Sequence, residues 1–257
     1  MIQSLRISLL HLALAPGDLR HNRGLVKRAV QVAAQRGAHW VVSPELCTCG
    51  LQFHAQLGAD WIEPQPDAWM AEFCQWVQAL KLTVFLSLPE RDGQTGKCYI
   101  AVFMINADGM IIGSHRKVNV LSDSDGWSSP GERIAPVTWQ GINIGLLICA
   151  DAYTRDIAAS LKSQGADILV SPAAWGPGLH GPEGEWEQRT VETRLPLIVC
   201  NRTGIDHTVS FTGAESLVVK NGKRLLAHQS ERSVVLTFDW DLATMEPMSN
   251  EYHKDYL

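Results

Sequence analysis

This sequence has no run of the roughly eighteen apolar residues that a membrane-spanning helix needs. Leu5 to Ala15 comes nearest to a secretory core, but Arg6, Ser8 and His11 interrupt it. Its near alternation fits a first β-strand better than a signal peptide. Nor is there an excess of positive charge. The net charge of −5 gives no electrostatic case for nucleic acid or for an anionic membrane surface. The six cysteines, Cys47, Cys49, Cys74, Cys98, Cys149 and Cys200, show no zinc-ribbon spacing, and Cys47 and Cys49 are too close for a thioredoxin-type pair. Scattered thiols without a secretory signal are expected in a reducing cytoplasm. No internal repeat, low-complexity tract or linker divides the chain, so one domain over residues 1–257 is the simplest expectation. Residues 245–257 have little core pattern and read as an arm that packs on a partner subunit.

What is present is an ordinary globular composition, 46% apolar and 19% charged, with a sizeable core. Strand and helix patterns alternate along it. Pro16-Gly17-Asp18 makes a turn and helix start, Leu25 to Arg36 has helical periodicity, and Gly37 closes it. His39 to Ser43 then reads as a strand delivering Pro44-Glu45 at its C-terminal end, where open α/β folds place chemistry. Residues 60–80 read as a Trp-rich helical region. Thr83 to Leu88 is a strand. Tyr99 to Ile105 and Met110 to Ser114 pair across Asn106-Ala107-Asp108-Gly109 as a hairpin. Residues 118–133 form a loop too long to be a mere turn, and such loops are often functional. A helix is expected from Glu185 to Arg194, followed by strands at 214–219, 224–228 and 234–238.

The chain is organised around Gly141 to Trp175, which reads as strand, sharp corner, helix and strand. Ile142 to Ile148 is a short β-branched run of the buried kind. Cys149 ends it, and Asp151 stands where a helix N-cap is expected before Ile157, Ala158 and Leu161. A cysteine at such a corner is held rigidly and faces the positive end of a helix, which favours a reactive thiolate. The other five cysteines lack that setting.

The segment ICADAYTRDIAASLKSQGADILVSPAAW resembles the nucleophile region of the nitrilase superfamily, the carbon–nitrogen hydrolases. Two further segments, in the right order upstream, carry the same resemblance: WVVSPELCTCG is similar to its glutamate motif and GSHRKVNVL to its lysine motif. WEQRTVETRLPLIVCNRTG, with Arg189 and Glu192, extends it. The resemblance implies a four-layer α-β-β-α sandwich, Glu45 as general base, Lys117 as stabiliser of the tetrahedral oxyanion and Cys149 as nucleophile. It also implies dimers or larger assemblies, joined partly through helices that follow the glutamate and cysteine strands. Superfamily members commonly place a second glutamate before a Gly-Trp in the 118–133 loop. Here Asp125 precedes Gly126-Trp127, one methylene shorter; a different alignment puts Ser124 there and leaves no carboxylate.

The implied chemistry is covalent hydrolysis of a small amide, ureide or nitrile, with no metal and no organic cofactor. The backbone N–H of Ala150 is expected to help Lys117 hold the oxyanion. Trp175 and His180, in the loop AAWGPGLHGPEG, are candidate substrate contacts. A small linear amide or N-carbamoyl compound is favoured over a nitrile, because nitrile-specific members usually follow the cysteine with Trp-Glu and this chain reads Cys-Ala-Asp. A transferase using the same cysteine and a non-catalytic interaction protein are the competing classes. Retention of Glu45, Lys117 and Cys149 argues against the second.

Overall fold

The structure, a computed structural model, describes residues 3–178 and 181–257. The chain opens with strand β1 (Ser4–His11) and helix α1 (Leu19–Gln35). The Asp18 side chain caps that helix by accepting from the His21 amide at 2.9 Å. Then come β2 (Trp40–Val42), the short α2 (His54–Leu57), α3 (Ala68–Leu80) and β3 (Thr83–Arg91). A hairpin of β4 (Cys98–Ile105) and β5 (Ile111–Arg116) follows. The expected helix over 60–80 is therefore shorter, starting only after the Asp67 side chain caps the Met70 amide. The Gln65-Pro66 stretch ahead of it has no helical backbone to offer. The 118–133 loop is not wholly irregular either, since it contains a one-turn helix, α4 (Ser122–Asp125).

The second half repeats the scheme with β6 (Val137–Trp139), β7 (Ile142–Leu146), a 3₁₀ turn (Cys149–Tyr153), α5 (Arg155–Ser163) and β8 (Ile168–Ala173). It continues through α6 (Glu185–Thr193), β9 (Leu197–Asn201), the small β10 (Ile205–Asp206) and β11 (Val209–Ser210), then β12 (Ser216–Lys220) and β13 (Lys223–His228). The last strands are β14 (Val234–Asp241), β15 (Glu246–Pro247) and β16 (His253–Tyr256). Residues 245–257 run back along their own chain, because β15 and β16 both pair with β14 and Tyr252 is buried.

One sheet has the order β15-β14-β1-β2-β3-β4-β5, with β16 beside β14; the other runs β13-β12-β9-β8-β7-β6. In both, the parallel strands sit in the middle and antiparallel strands flank them. Period-two alternation decides which layer each face meets. Leu5, Ile7, Leu9, Trp40, Val42, Phe85, Ile100 and Val102 join the core shared with Ile144, Leu146, Ile168 and Val199 of the second sheet. The opposite faces of the first sheet, through Leu10, Val41, Val84, Leu86 and Phe103, pack on α1 and α3. The i, i+3, i+4 stripes Val26, Ala29, Val30, Ala33 and Met70, Phe73, Val77 bury there. Each such large side chain contributes roughly 1.5–3 kcal/mol of burial. On the far side, α5 covers the second sheet with Ile157, Ala158 and Leu161, and α6 packs beside α5. The result is the four-layer α-β-β-α sandwich.

Face-to-face packing brings the ends of the two sheets' parallel strands together. The Glu45 amide, just past β2, donates to the Ala173 carbonyl at the end of β8 at 3.2 Å. That meeting point is where the chemistry-bearing residues lie.

Candidate active site

Glu45, Lys117, Asp125 and Cys149 are all buried and converge on one point. Lys117 Nζ donates to Glu45 Oε1 at 2.7 Å and to Asp125 Oδ2 at 2.7 Å. The second Glu45 oxygen accepts the Ala174 amide at 3.1 Å, and the Cys149 thiol lies beside this carboxylate. Each residue comes from a different strand end: Glu45 follows β2, Lys117 follows β5, and Cys149 lies just beyond β7. Lys117 is pinned by its backbone, its amide donating to the Ile100 carbonyl and its carbonyl accepting from Gly131, both at 2.8 Å. Asp125 terminates α4, and its carboxylate also accepts from the Leu121 amide at 3.2 Å and the Ser124 hydroxyl at 2.8 Å. The alignment that puts Ser124 in the second-carboxylate place is thus not the one the fold adopts; Ser124 hydrogen-bonds Asp125 instead.

Cys149 has φ +47° and Leu46, next to Glu45, has φ +50°. Both are left-handed backbone positions for residues with a Cβ, a cost of about 1–3 kcal/mol each that surrounding structure must hold in place. Asp151 supplies much of that hold, and here the sequence expectation is corrected. The 3₁₀ turn intervenes between Cys149 and α5, so Asp151 does not cap the helix; Thr154 occupies that place without a side-chain cap bond. Asp151 instead accepts from the Ile148, Val118 and Asn119 amides, each at 2.9 Å, and from His115 Nε2 at 2.8 Å. One carboxylate therefore ties the Cys149 turn to the lysine segment.

The corner at Cys149 does not by itself yield a thiolate. Burial, with Glu45 alongside, pushes the Cys149 thiol well above its usual range, and Lys117 only partly opposes this. The thiol rests protonated. Burial likewise raises the Glu45 carboxyl above 4.5, against the pull of Lys117 and with Asp125 adding to the rise. For Lys117 burial works downward, but the Glu45 and Asp125 carboxylates hold the ammonium well above 10.5.

These groups stand at the floor of a cavity of about 590 Å³. Cys149 and Ala150 line it, as do Trp175, Tyr153, Phe211 and Leu51. Trp175 both borders the cavity and packs, its ring 5.0 Å from Trp186 and 4.7 Å from Tyr153. His180 lies outside the described residues. All six cysteines are buried free thiols, and Cys149 alone of them borders this cavity. Among the described residues, no group of three or more His, Cys, Asp or Glu is arranged to hold a metal ion, and no helix is long and apolar enough to cross a membrane.

Sequence reasoning missed the residues that hold the cavity walls. Asn201, at the end of β9, clamps the Trp175 backbone, accepting its N–H at 3.0 Å and donating to its carbonyl at 2.8 Å. Buried Asp206 pairs with Arg202 and accepts the Leu51 and Gln52 amides at 2.8 and 3.2 Å. Asn201 closes the run LIVCN, so the same strand-end rule that selects Glu45 could have found it.

A buried thiol, carboxylate and ammonium at the strand ends of an α-β-β-α sandwich define a cysteine-dependent hydrolase of the nitrilase superfamily. The chain belongs to the carbon-nitrogen hydrolase family, matching it over residues 6–250. It is 27% identical to an (R)-stereoselective amidase of a Pseudomonas species, over 98% of this chain and 90% of that protein. It is 24% identical to the citrullinase of Francisella tularensis, over 95% of this chain and 91% of that protein. The crystal structure of an amidase from Nesterenkonia sp. superposes with a TM-score of 0.80 at 25% identity, covering 94% of this chain and 92% of that one. A variant of that amidase carries the acetamide moiety of fluoroacetamide covalently added at its active-site cysteine.

Proposed function

We propose that this carbon–nitrogen hydrolase cleaves small linear amides or N-carbamoyl compounds through a covalent intermediate on Cys149. Glu45 serves as the base, Lys117 stabilises the oxyanion, and Asp125 holds Lys117 in place. The observation that carries this reading is Lys117 Nζ placed 2.7 Å from both Glu45 and Asp125, beside Cys149 at the cavity floor.

The steps follow from the protonation states. Glu45, a carboxylate with a raised pKa, takes the thiol proton as sulfur bonds to the carbonyl carbon. The carbonyl π pair moves to oxygen, where Lys117 and the Ala150 N–H meet the developing charge. Protonation of Glu45 weakens its hold on Lys117 at the moment the oxyanion needs that ammonium. Charge therefore moves from carboxylate to oxyanion while the cation stays put. Collapse breaks the C–N bond, and the leaving amine takes the proton from Glu45. Water then yields its proton to Glu45 and attacks the thioester. The expelled thiolate recovers that proton, releasing the acid and regenerating the resting site.

The covalent adduct at the cysteine of the Nesterenkonia amidase supports a nucleophilic role for Cys149. Ammonia release from a panel of amides, ureides and nitriles, together with intact-mass detection of an acyl adduct, tests the reading. An adduct that survives Cys149→Ala would sink it.

A further inference from the structure

The cavity is charged only at its floor among the described residues. Above Glu45 and Lys117 its walls are Leu51, Leu121, Tyr153, Trp175, Val209 and Phe211, with Gln52, Ser122 and Ser124 as polar neighbours. At the floor the Glu45 carboxylate faces the Lys117 ammonium, which is also held by Asp125 outside the cavity lining. Two buried guanidinium groups beside the walls are committed elsewhere. Arg202 lies behind Phe211, its Cζ 4.7 Å from that ring, and is engaged by Asp206 and by the Leu14 carbonyl at 2.7 Å. Arg189 pairs with Glu192 at 3.1 Å and reaches only the backbone carbonyl of Tyr153, at 3.5 Å. After burial, the carboxylates of Glu185 and Glu183 are among the causes that raise the Tyr153 phenol, so negative potential reaches that wall. A carboxylate on the acyl part of a substrate would lose its water here and, among the described residues, find no cation on the walls.

We infer that the substrate is a carboxamide with an apolar, uncharged acyl part bulkier than a simple acetyl group, and that amides bearing a carboxylate on the acyl chain are excluded. This rests on the amidase reading above and narrows it. The cavity's size accords with it, because pockets of about 300–1,000 Å³ take ligands well beyond the smallest amides.

The test compares 4-methylpentanamide with succinamate, in which a carboxylate replaces the isopropyl group at nearly equal size. The neutral amide is expected to have the higher kcat/KM by at least about 100-fold, since an unpaired buried carboxylate costs at least that factor. It should also exceed acetamide by about tenfold or more, as buried methylene groups in an apolar pocket do. Succinamate turned over as fast as 4-methylpentanamide would overturn the inference and leave the amidase reading standing. Acetamide outrunning 4-methylpentanamide would do the same. Failure of every amide, with no adduct on Cys149, would instead remove the amidase reading and this inference with it. Gln52→Arg places a cation on the wall and is expected to narrow the 4-methylpentanamide to succinamate ratio by about tenfold. An unchanged ratio in that variant would count against wall charge as the selector and overturn the inference.

Discussion

Glu45 and Asp151 are both carboxylates with no exposure to solvent, a few residues from the same catalytic centre, and burial has opposite outcomes for them. Burial raises the Glu45 pKa and Asp125 adds to the rise. Burial works in the same direction on Asp151, yet His115 and the Asn119 and Ile148 amides outweigh it and hold that carboxyl below 3.8. The difference lies in the donors. Asp151 is saturated by three backbone N–H groups and an imidazole. Glu45 has one backbone donor, and its remaining partners are a lysine and a thiol that share its proton chemistry. A buried carboxylate surrounded by fixed amides is structural; one whose partners are themselves reactive is available to exchange a proton.

The comparison breaks first at the sulfur. Cys149→Ala should lower kcat by at least about 10⁴-fold, the scale seen when a covalent nucleophile is lost. Its circular dichroism and unfolding midpoint should stay near the parent's. Glu45→Gln keeps the shape and removes the base, so a loss of about 10³-fold is expected, within the usual range for acid–base catalysis. In the parent, kcat/KM should rise with pH through an apparent pKa above 4.5, because only the carboxylate form of Glu45 accepts the thiol proton. That limb should vanish in Glu45→Gln. A pH profile identical in the two proteins would assign the base elsewhere.

Much of this was legible before any coordinates. Hydrophobic patterning located most strands of both sheets, but not β6, β15 or β16, and Asp18 and Gly37 marked helix ends because their physics is local. Glu45, Lys117 and Cys149 were legible because each lies at a strand end within a recognisable motif. Asp151 was misread for an instructive reason. An aspartate shortly after a strand and before an amphipathic stretch satisfies every local requirement of an N-cap, but here three of its four partners lie 32 to 36 residues away, on the lysine segment. The resting state of Cys149 is not set by its corner alone. Its corner suggests stabilisation of a thiolate, whereas complete burial beside two carboxylates depends on how three distant segments meet. Arg202 and Asp206 form a pair four residues apart whose use, fastening Leu51 and Gln52, exists only in the folded chain.

At the lysine, Lys117→Ala should reduce kcat by about 10²- to 10³-fold, as loss of an oxyanion donor does. Lys117→Arg should fail too, because a planar guanidinium cannot place a compact charge between two carboxylates. Near-normal rates at saturating substrate for either variant would leave Lys117 a mere counter-ion. The structural carboxylate should answer in a different currency. Asp151→Asn is expected to cost about 2–4 kcal/mol of stability at pH 7, for loss of charge-assisted bonds to buried donors. Because the folded pKa of Asp151 is depressed, that contribution is present above the unfolded value and fades as pH falls below about 4. Urea unfolding of parent and variant should therefore converge in acid. A gap that persists unchanged at pH 3 would mean that packing, and not the charge, holds the turn.

The smallest effects, and the sharpest use of the comparison, concern Asp125. It resembles Asp151 in accepting a local backbone amide, and Glu45 in touching Lys117 at 2.7 Å. If its work is to position the ammonium, Asp125→Asn should lower kcat by about 10²-fold at nearly constant shape, the scale of a misplaced reacting group. Stability should change little beside the loss in Asp151→Asn. Asp125→Glu adds one methylene in a space where α4 already fixes the carboxylate, so it should shift Lys117 without discharging it. Activity then stays within about tenfold of the parent, and the change falls on KM and substrate size more than on kcat. Were Asp125→Asn to lose stability like Asp151→Asn and keep its kcat, Asp125 would belong with the fixed carboxylates, and Lys117 would be held for catalysis by Glu45 alone.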